Sequence, residues 1–176
     1  MIETENIILR SASFAHCDSF AKWESEQSII EHFSNIGKRD LSQITTDFHN
    51  VINDRTRKWL TIILKETGEP IGKVVLSDID HINDSAAIST IYIAATDLRG
   101  KGLGKEAFAA TFYYAFKYMN LERLELRHFP EDSNEALYEK LGFKKEGRLK
   151  NAGKRNGKYE DMELRAILRE DWESRL

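Results

Sequence analysis

Apolar residues recur along this chain in two rhythms, and each change of rhythm marks an element. Ile7-Ile8-Leu9-Arg10 is a short β run, after which Phe14, Cys17, Phe20 and Ala21 fall at helical spacing. Leu41, Ile44, Phe48, Val51 and Ile52 repeat that spacing, so the first third predicts a strand followed by two helices. Trp59 to Leu64 and Ile71 to Leu76 are β-rich, and Glu66-Thr67-Gly68-Glu69-Pro70 between them reads as a turn joining antiparallel strands. Another run, Ile88 to Ile93, follows a polar turn near Asn83-Asp84. Gly100, Gly102 and Gly104 come next, then Ala107, Phe108, Ala110, Phe112, Ala115, Phe116 and Met119 at helical spacing. Leu124, Leu126 and Phe129 mark a fifth strand and Asn134 to Leu141 a short helix, while Phe143 to Leu149 and Tyr159 to Leu168 form a closing hairpin. No repeat, charge block or Pro/Gly/Ser-rich linker interrupts this order, so residues 1–176 are expected to fold as one domain. The class predicted is α+β.

Composition narrows the setting. With 41% hydrophobic and 31% charged residues and 2 prolines, the chain has the make-up of a soluble globular protein. The single cysteine, Cys17, cannot form an intramolecular disulfide, which fits a reducing compartment, and its helical spacing assigns it to the core. The opening Met1-Ile2-Glu3-Thr4-Glu5-Asn6 is acidic and polar, and no apolar segment approaches membrane-spanning length, so a cytoplasmic protein without a membrane partner is expected. A net charge of −3 gives no electrostatic reason to expect nucleic acid. His16, His32, His49, His81 and His128 have no metal-ligand spacing with Cys17, so no metal is expected. Lys154, Arg155 and Lys158 surround Asn156-Gly157 as a basic hairpin tip, a solvated turn or a contact for an acidic partner. Monomer and homodimer are both open.

The strongest local signal is Arg99-Gly100-Lys101-Gly102-Leu103-Gly104, set between a β run and a helix, with Lys105 following. Glycines let the backbone approach an anion, and free N–H groups at a helix start, with the positive end of the helix dipole, stabilise negative charge. The dinucleotide fingerprint fails because position 105 is Lys, and the P-loop fails for want of its spacing and its Lys-Ser/Thr ending. A plain glycine turn is the alternative. Further on, Asn134 and Tyr138 are four apart and share one helix face. Asp132 with Glu135 resembles a capping box that would start this helix just before Asn134. A tyrosine with an ordinary pKa near ~10 could protonate a thiolate of comparable basicity; its bland alternative is an amphipathic residue packed at a helix–sheet boundary.

These segments resemble the GNAT acetyltransferases: Arg99 to Gly104 in the first, and Asn134-Glu135-Ala136-Leu137-Tyr138-Glu139-Lys140-Leu141-Gly142-Phe143 in the second. Ile8-Leu9-Arg10, Glu146-Gly147-Arg148-Leu149 and Asn156-Gly157-Lys158-Tyr159 extend the resemblance over nearly the whole chain, toward the branch with ribosomal-protein N-terminal and spermidine acetyltransferases. The GNAT fold it implies is a mixed, mostly antiparallel central sheet of six to seven strands flanked by about four helices. It also implies acetyl-CoA as co-substrate, with its pyrophosphate on Arg99, Gly100, Lys101, Gly102, Leu103, Gly104 and Lys105. The pantetheine arm would pair with the strand Ile91-Tyr92-Ile93, Asn134 would contact the coenzyme, and Tyr138 would protonate the departing thiolate.

Many relatives place a Glu in the fourth strand where counting back from the glycine loop gives Ser89. An acidic base is therefore missing from its usual place, and a water held by Ser89 or by a backbone carbonyl could serve instead. A peptide α-amine, with a pKa near ~7.8, costs about 1 kcal/mol to deprotonate at pH 7; a lysine-like or polyamine nitrogen near ~10.4 costs about 4 to 5 kcal/mol. This favours a peptide or protein N-terminal amine as acceptor over a polyamine, aminoglycoside or amino sugar, with a non-catalytic acetyl-CoA-binding module as a further alternative. Glu24, Glu26 and Glu31 could attract a cationic polyamine, although a solvated acidic face is the more ordinary reading. Trp23, Phe33, Trp59 and Tyr92 could line an acceptor pocket, although aromatics at such spacings more often belong to the core.

Overall fold

The chain opens on two short strands, β1 (Ile2–Glu3) and β2 (Ile7–Ser11), which pair antiparallel and lead the sheet. The computed structural model describes residues 1–33 and 37–176. A 3₁₀ turn, Phe14–His16, runs into α1 (Cys17–Trp23), followed by the single-turn α2 (Gln27–Ile30) and by α3 (Leu41–Val51). Asp40 starts α3 through a capping box: its carboxylate accepts from the Gln43 N–H, and the Gln43 side chain accepts from the Asp40 N–H. β3 (Lys58–Leu64), β4 (Pro70–Asp80) and β5 (Ser85–Ile93) then form an antiparallel meander. α4 (Leu103–Tyr113) continues as a π-helical segment, Tyr114–Tyr118, and returns the chain to β6 (Arg123–His128), parallel to β5. α5 (Glu135–Leu141), the hairpin β7 (Lys144–Arg155) and β8 (Lys158–Leu168), and α6 (Arg169–Glu173) complete the chain.

Alternation along the strands divides the interior between two faces. Ile7, Leu9, Leu60, Ile62, Val74, Leu76, Leu124 and Ile167 face the side covered by α4, where Leu103, Ala107, Phe108 and Phe112 pack on them. On the other side Trp59 and Val75 meet Cys17, Phe20, Ile44, Phe48 and Val51 from α1 and α3. Cys17 is in the core, as its spacing predicted.

The predicted class and the mixed, mostly antiparallel sheet hold, with differences of detail. Among the described residues there are eight strands in the order β1-β2-β3-β4-β5-β6-β8-β7, not six to seven, and six α-helices, not about four. β1, α2 and α6 are two, four and five residues long, too short to carry a periodic signal. β7 runs on to Arg155 rather than ending at Leu149, because most of its side chains are exposed and no apolar alternation marks its length. Its turn is as expected: Asn156 and Gly157 have φ of 52° and 76°, the left-handed pair of a tight hairpin.

Two local features of the meander set up the functional region. Gly72 on β4 faces Ile93, and a Cβ there would lie 2.1 Å from the Tyr92 carbonyl oxygen. Gly72→Ala should therefore push β4 from β5 and destabilise the protein by about 1–3 kcal/mol, read from the urea midpoint at unchanged slope. The second feature is a bulge. Thr90 pairs with Val75 but Ile88 pairs with Leu76, so Ser89 is an extra residue on β5. Ala86 and Ile88 point to the α4 side before the bulge, and Ile91 and Ile93 point there after it, while Thr90 and Tyr92 turn to the opposite side.

Candidate active site

β5 and β6 pair through Ser85, Ala86 and Ala87 against Arg123, Leu124 and Glu125, and beyond these residues the strands separate. β6 remains bonded to β8 up to His128, and β5 remains bonded to β4 up to Ile93. A cleft of about 390 Å³ lies along the separated stretch of β5, walled by α4 and by residues 133–138 at the start of α5. The Ala94 N–H is bonded to the Ile71 carbonyl at 2.8 Å, and the Tyr92 carbonyl also points at β4. By the two-residue period of the ladder, the backbone groups of Ile91 and Ile93 point the other way, into the cleft. The cleft wall is thus a strand edge facing an open volume.

At one end of the cleft stands the glycine loop. Gly100 and Gly102 have φ of 77° and 82°, a conformation side chains rarely adopt, and Gly102 is the N-cap of α4 without a side-chain cap. The first N–H groups of the 11-residue α4 therefore lack the usual capping oxygen. Gly104 has an ordinary φ, lines the cleft, and has nothing within 4 Å of where its Cβ would stand. Arg99, Gly100 and Leu103 line the cleft with it, whereas Lys101 and Lys105 are exposed beside the loop.

Opposite the strand edge, α5 presents Asn134 and Tyr138 to the same cleft, as their spacing predicted. The capping box expected of Asp132 and Glu135 does not form. Asp132 accepts from the Asn134 N–H at 2.8 Å, and the Glu135 carboxylate instead binds the buried Arg165 of β8 at 2.5 Å. That ion pair ties α5 to the sheet and fixes its azimuth. The Tyr138 ring sits edge-on to Phe108 and Phe143 at centroid distances of 6.0 and 6.2 Å and lies 5.2 Å from His128. Burial, reinforced by the Asp132 carboxylate, holds the Tyr138 phenol above its ordinary pKa, so it is protonated at neutral pH. His128 is not free to act as a base: Nδ1 is 2.8 Å from the Phe129 carbonyl and Nε2 accepts from Arg165 at 3.0 Å.

Ser89 stands on the bulge, between two smaller cavities. One, shared with Tyr138, Asn134, Arg127 and His128, fills the gap between β5 and β6. The other, about 160 Å³, lies on the α1–α3 side with Glu24, Arg39, Asp47, Arg57 and Lys73 in its wall. Glu24 is not part of a solvated acidic face: it is fully buried, accepts from Lys73 at 2.8 Å and the Tyr92 hydroxyl at 3.1 Å, and is ion-paired with Arg39. Burial outweighs Glu24 and pushes the Lys73 pKa down to about 8. Lys73 also lies over the Trp59 ring at 3.4 Å. Sequence reading passed over Lys73, although a lysine inside Ile71-Gly72-Lys73-Val74-Val75 is a visible oddity. Phe33 and Tyr92 line the main cleft and Trp59 the smaller cavity, while Trp23 packs edge-on to Tyr92 at 6.1 Å. Glu26 and Glu31 are exposed and line none of these cavities.

The model of the acetyltransferase (GNAT) domain matches residues 6–144, most of the chain. The chain belongs to the GNAT acetyltransferase family. In sequence, the chain is similar to the uncharacterized N-acetyltransferase p20 of Bacillus licheniformis, 29% identical over 174 residues that cover 96% of both chains. The putative ribosomal N-acetyltransferase YdaF of Bacillus subtilis is 28% identical over 156 residues, covering 82% of this chain and 84% of its own. In fold, the chain is similar to the spermidine N-acetyltransferase of Vibrio cholerae solved with CoA and spermine, with a TM-score of 0.86 at 23% identity over 94% of this chain and 97% of that one. The chain is thus a GNAT N-acetyltransferase.

Proposed function

We propose that this N-acetyltransferase moves acetyl from acetyl-CoA directly to a peptide or protein N-terminal α-amine. The observation that carries the reading is the convergence of an open strand edge, an uncapped glycine loop and a protonated tyrosine on one cleft. The pyrophosphate would sit on the first N–H groups of α4, and the pantetheine amides would bond the Ile91 and Ile93 backbone like a partial strand. The thioester would then lie near the bulge, where a backbone N–H can hold its carbonyl oxygen. A neutral amine entering from the Ser89 side adds to the carbonyl carbon, and the tetrahedral oxyanion keeps that N–H as its partner. As the C–S bond breaks, the sulfur takes the Tyr138 proton, the nitrogen gives its extra proton to a water at Ser89, and the Tyr138 phenolate regains a proton from solvent. Burial makes the phenol a weaker acid than usual, and the same dry surroundings raise the proton affinity of the thiolate.

An α-amine as the acceptor is supported by what flanks Ser89. Its hydroxyl, 3.4 Å from the Val75 carbonyl, can hold a water but is no strong base. Glu24, the buried carboxylate lining a cavity with Ser89, already has two cations and a hydroxyl as partners, which leaves it a poor lure for a polycation. A polyamine is the second reading, favoured by the likeness in fold to the Vibrio cholerae enzyme.

Thiol release measured from pH 6 to 9 separates the two. For an α-amine acceptor, kcat/KM should rise about tenfold per pH unit and level off near pH ~7.8, because the neutral amine reacts. A rise that continues to pH 9 would assign a nitrogen of higher pKa. Tight acetyl-CoA binding with no thiol released from any amine would instead leave a non-catalytic coenzyme-binding module.

A further inference from the structure

The 160 Å³ cavity behind Ser89 has an unbalanced inventory of donors and acceptors. Its two lining carboxylates are spent: Glu24 as described, and Asp47 with one oxygen 3.0 Å from Arg39 and the other 3.1 Å from Arg57. Asp54 holds the Arg57 Nε at 2.7 Å and is outside the lining. Donors remain. Among the described residues, the Arg39 Nε is buried without a partner, and the Arg57 guanidinium, bound through Nε and Nη1, keeps Nη2 free. Arginine has donors and no acceptor, so a molecule that completes this cavity must bring oxygens, and anionic oxygens gain most. Arg39 and Arg57 are 25% and 34% exposed, within reach of a solute, whereas Lys73 at 1% forms the floor.

The cavity also adjoins the gap that leads to the main cleft. Ser89 and Thr90 line both it and the gap between β5 and β6, and that gap shares Tyr138 and Asn134 with the main cleft. We propose that the acceptor carries an acidic group close to its amine, and that Arg39 and Arg57 hold this group behind Ser89 while the amine meets the thioester. The proposal rests on acetyl transfer to an α-amine and adds the class of acceptor: a peptide with Asp or Glu next to its N-terminus. A polyamine would bring donors to a wall that already has them in excess.

The test uses two tetrapeptides with the same N-terminal serine, one with glutamate and one with glutamine at the second and third positions. Thiol release should give a kcat/KM ratio of about tenfold or more in favour of the acidic peptide, the size of a charge-assisted bond, and the ratio should shrink with added salt. Arg57→Gln should bring the ratio to near one, and Arg57→Glu should invert it. Arg57 is chosen because Arg39 supports the buried Glu24, whose loss threatens folding. Calorimetric binding of both peptides to the CoA-saturated enzyme gives a readout independent of turnover. Equal turnover of the two peptides by the wild type, or an unchanged ratio in both Arg57 variants, overturns the proposal and leaves the transfer reading intact. Acid-dependent binding with no thiol release overturns both.

Discussion

Tyr138→Phe is expected to lower kcat by about a hundredfold while acetyl-CoA affinity changes less than about threefold. The ring of Tyr138 packs against Phe108, Phe143 and His128, and phenylalanine keeps those contacts, so the variant should fold with α5 still tied through Glu135 and Arg165. On the proposed mechanism it would lose the one proton that the departing sulfur takes. Steady-state thiol release and calorimetric binding of acetyl-CoA, measured on one preparation, separate the two effects. Unchanged turnover would take Tyr138 out of the mechanism, and a large fall in affinity would make it a binding residue instead.

Glu24→Ala is expected to lose about 3–5 kcal/mol of stability, because the buried Lys73 would lose its carboxylate and Arg39 one of its two. The deficit has a pH signature. The Lys73 pKa, pushed down to about 8 in the folded protein, falls further without Glu24, while the unfolded chain keeps the ordinary value of 10.5. Between these values the unfolded state binds more protons, so stability rises with pH and the variant should recover part of its loss between pH 7 and 9. Lys73→Met on the Glu24→Ala background should recover much of the remainder by removing the orphaned ammonium. Urea denaturation reads all three. A loss below about 1 kcal/mol would mean that water reaches the site and that the ion pair is not buried in solution.

What the sequence revealed and what it hid follow one physical division. The glycine loop and the Asn134–Tyr138 pair are local: their chemistry depends on residues within a few positions, so spacing suffices to place them on a helix start and a helix face. The assignment of Ile91 to Ile93 as the coenzyme strand came from resemblance, and no neighbouring residue explains it; it needs β6 to diverge, a fact about a strand some thirty positions away. Glu24 was misread for the same reason. Its partners Lys73 and Tyr92 lie 49 and 68 positions off, and an acidic residue near Glu26 and Glu31 looks like part of an exposed face until the fold brings two cations to it. Asp132 and Glu135 had the spacing of a capping box, and a distant arginine drew Glu135 away. The bulge left no trace in composition, since Ser89 is an ordinary strand residue whose extra place shows once β4 is laid beside β5.

An unpaired strand edge is normally a hazard, since any other chain in β conformation can add to it and begin an aggregate. Here the exposed stretch of β5 lies inside the sheet rather than at its rim, with Leu103, Ala107 and Phe108 on one side and Leu137 and Tyr138 on the other. A second protein sheet is too thick to enter that slot. A slender, flexible chain of amides is not, so the architecture offers β-type pairing to a small molecule while withholding it from polypeptides.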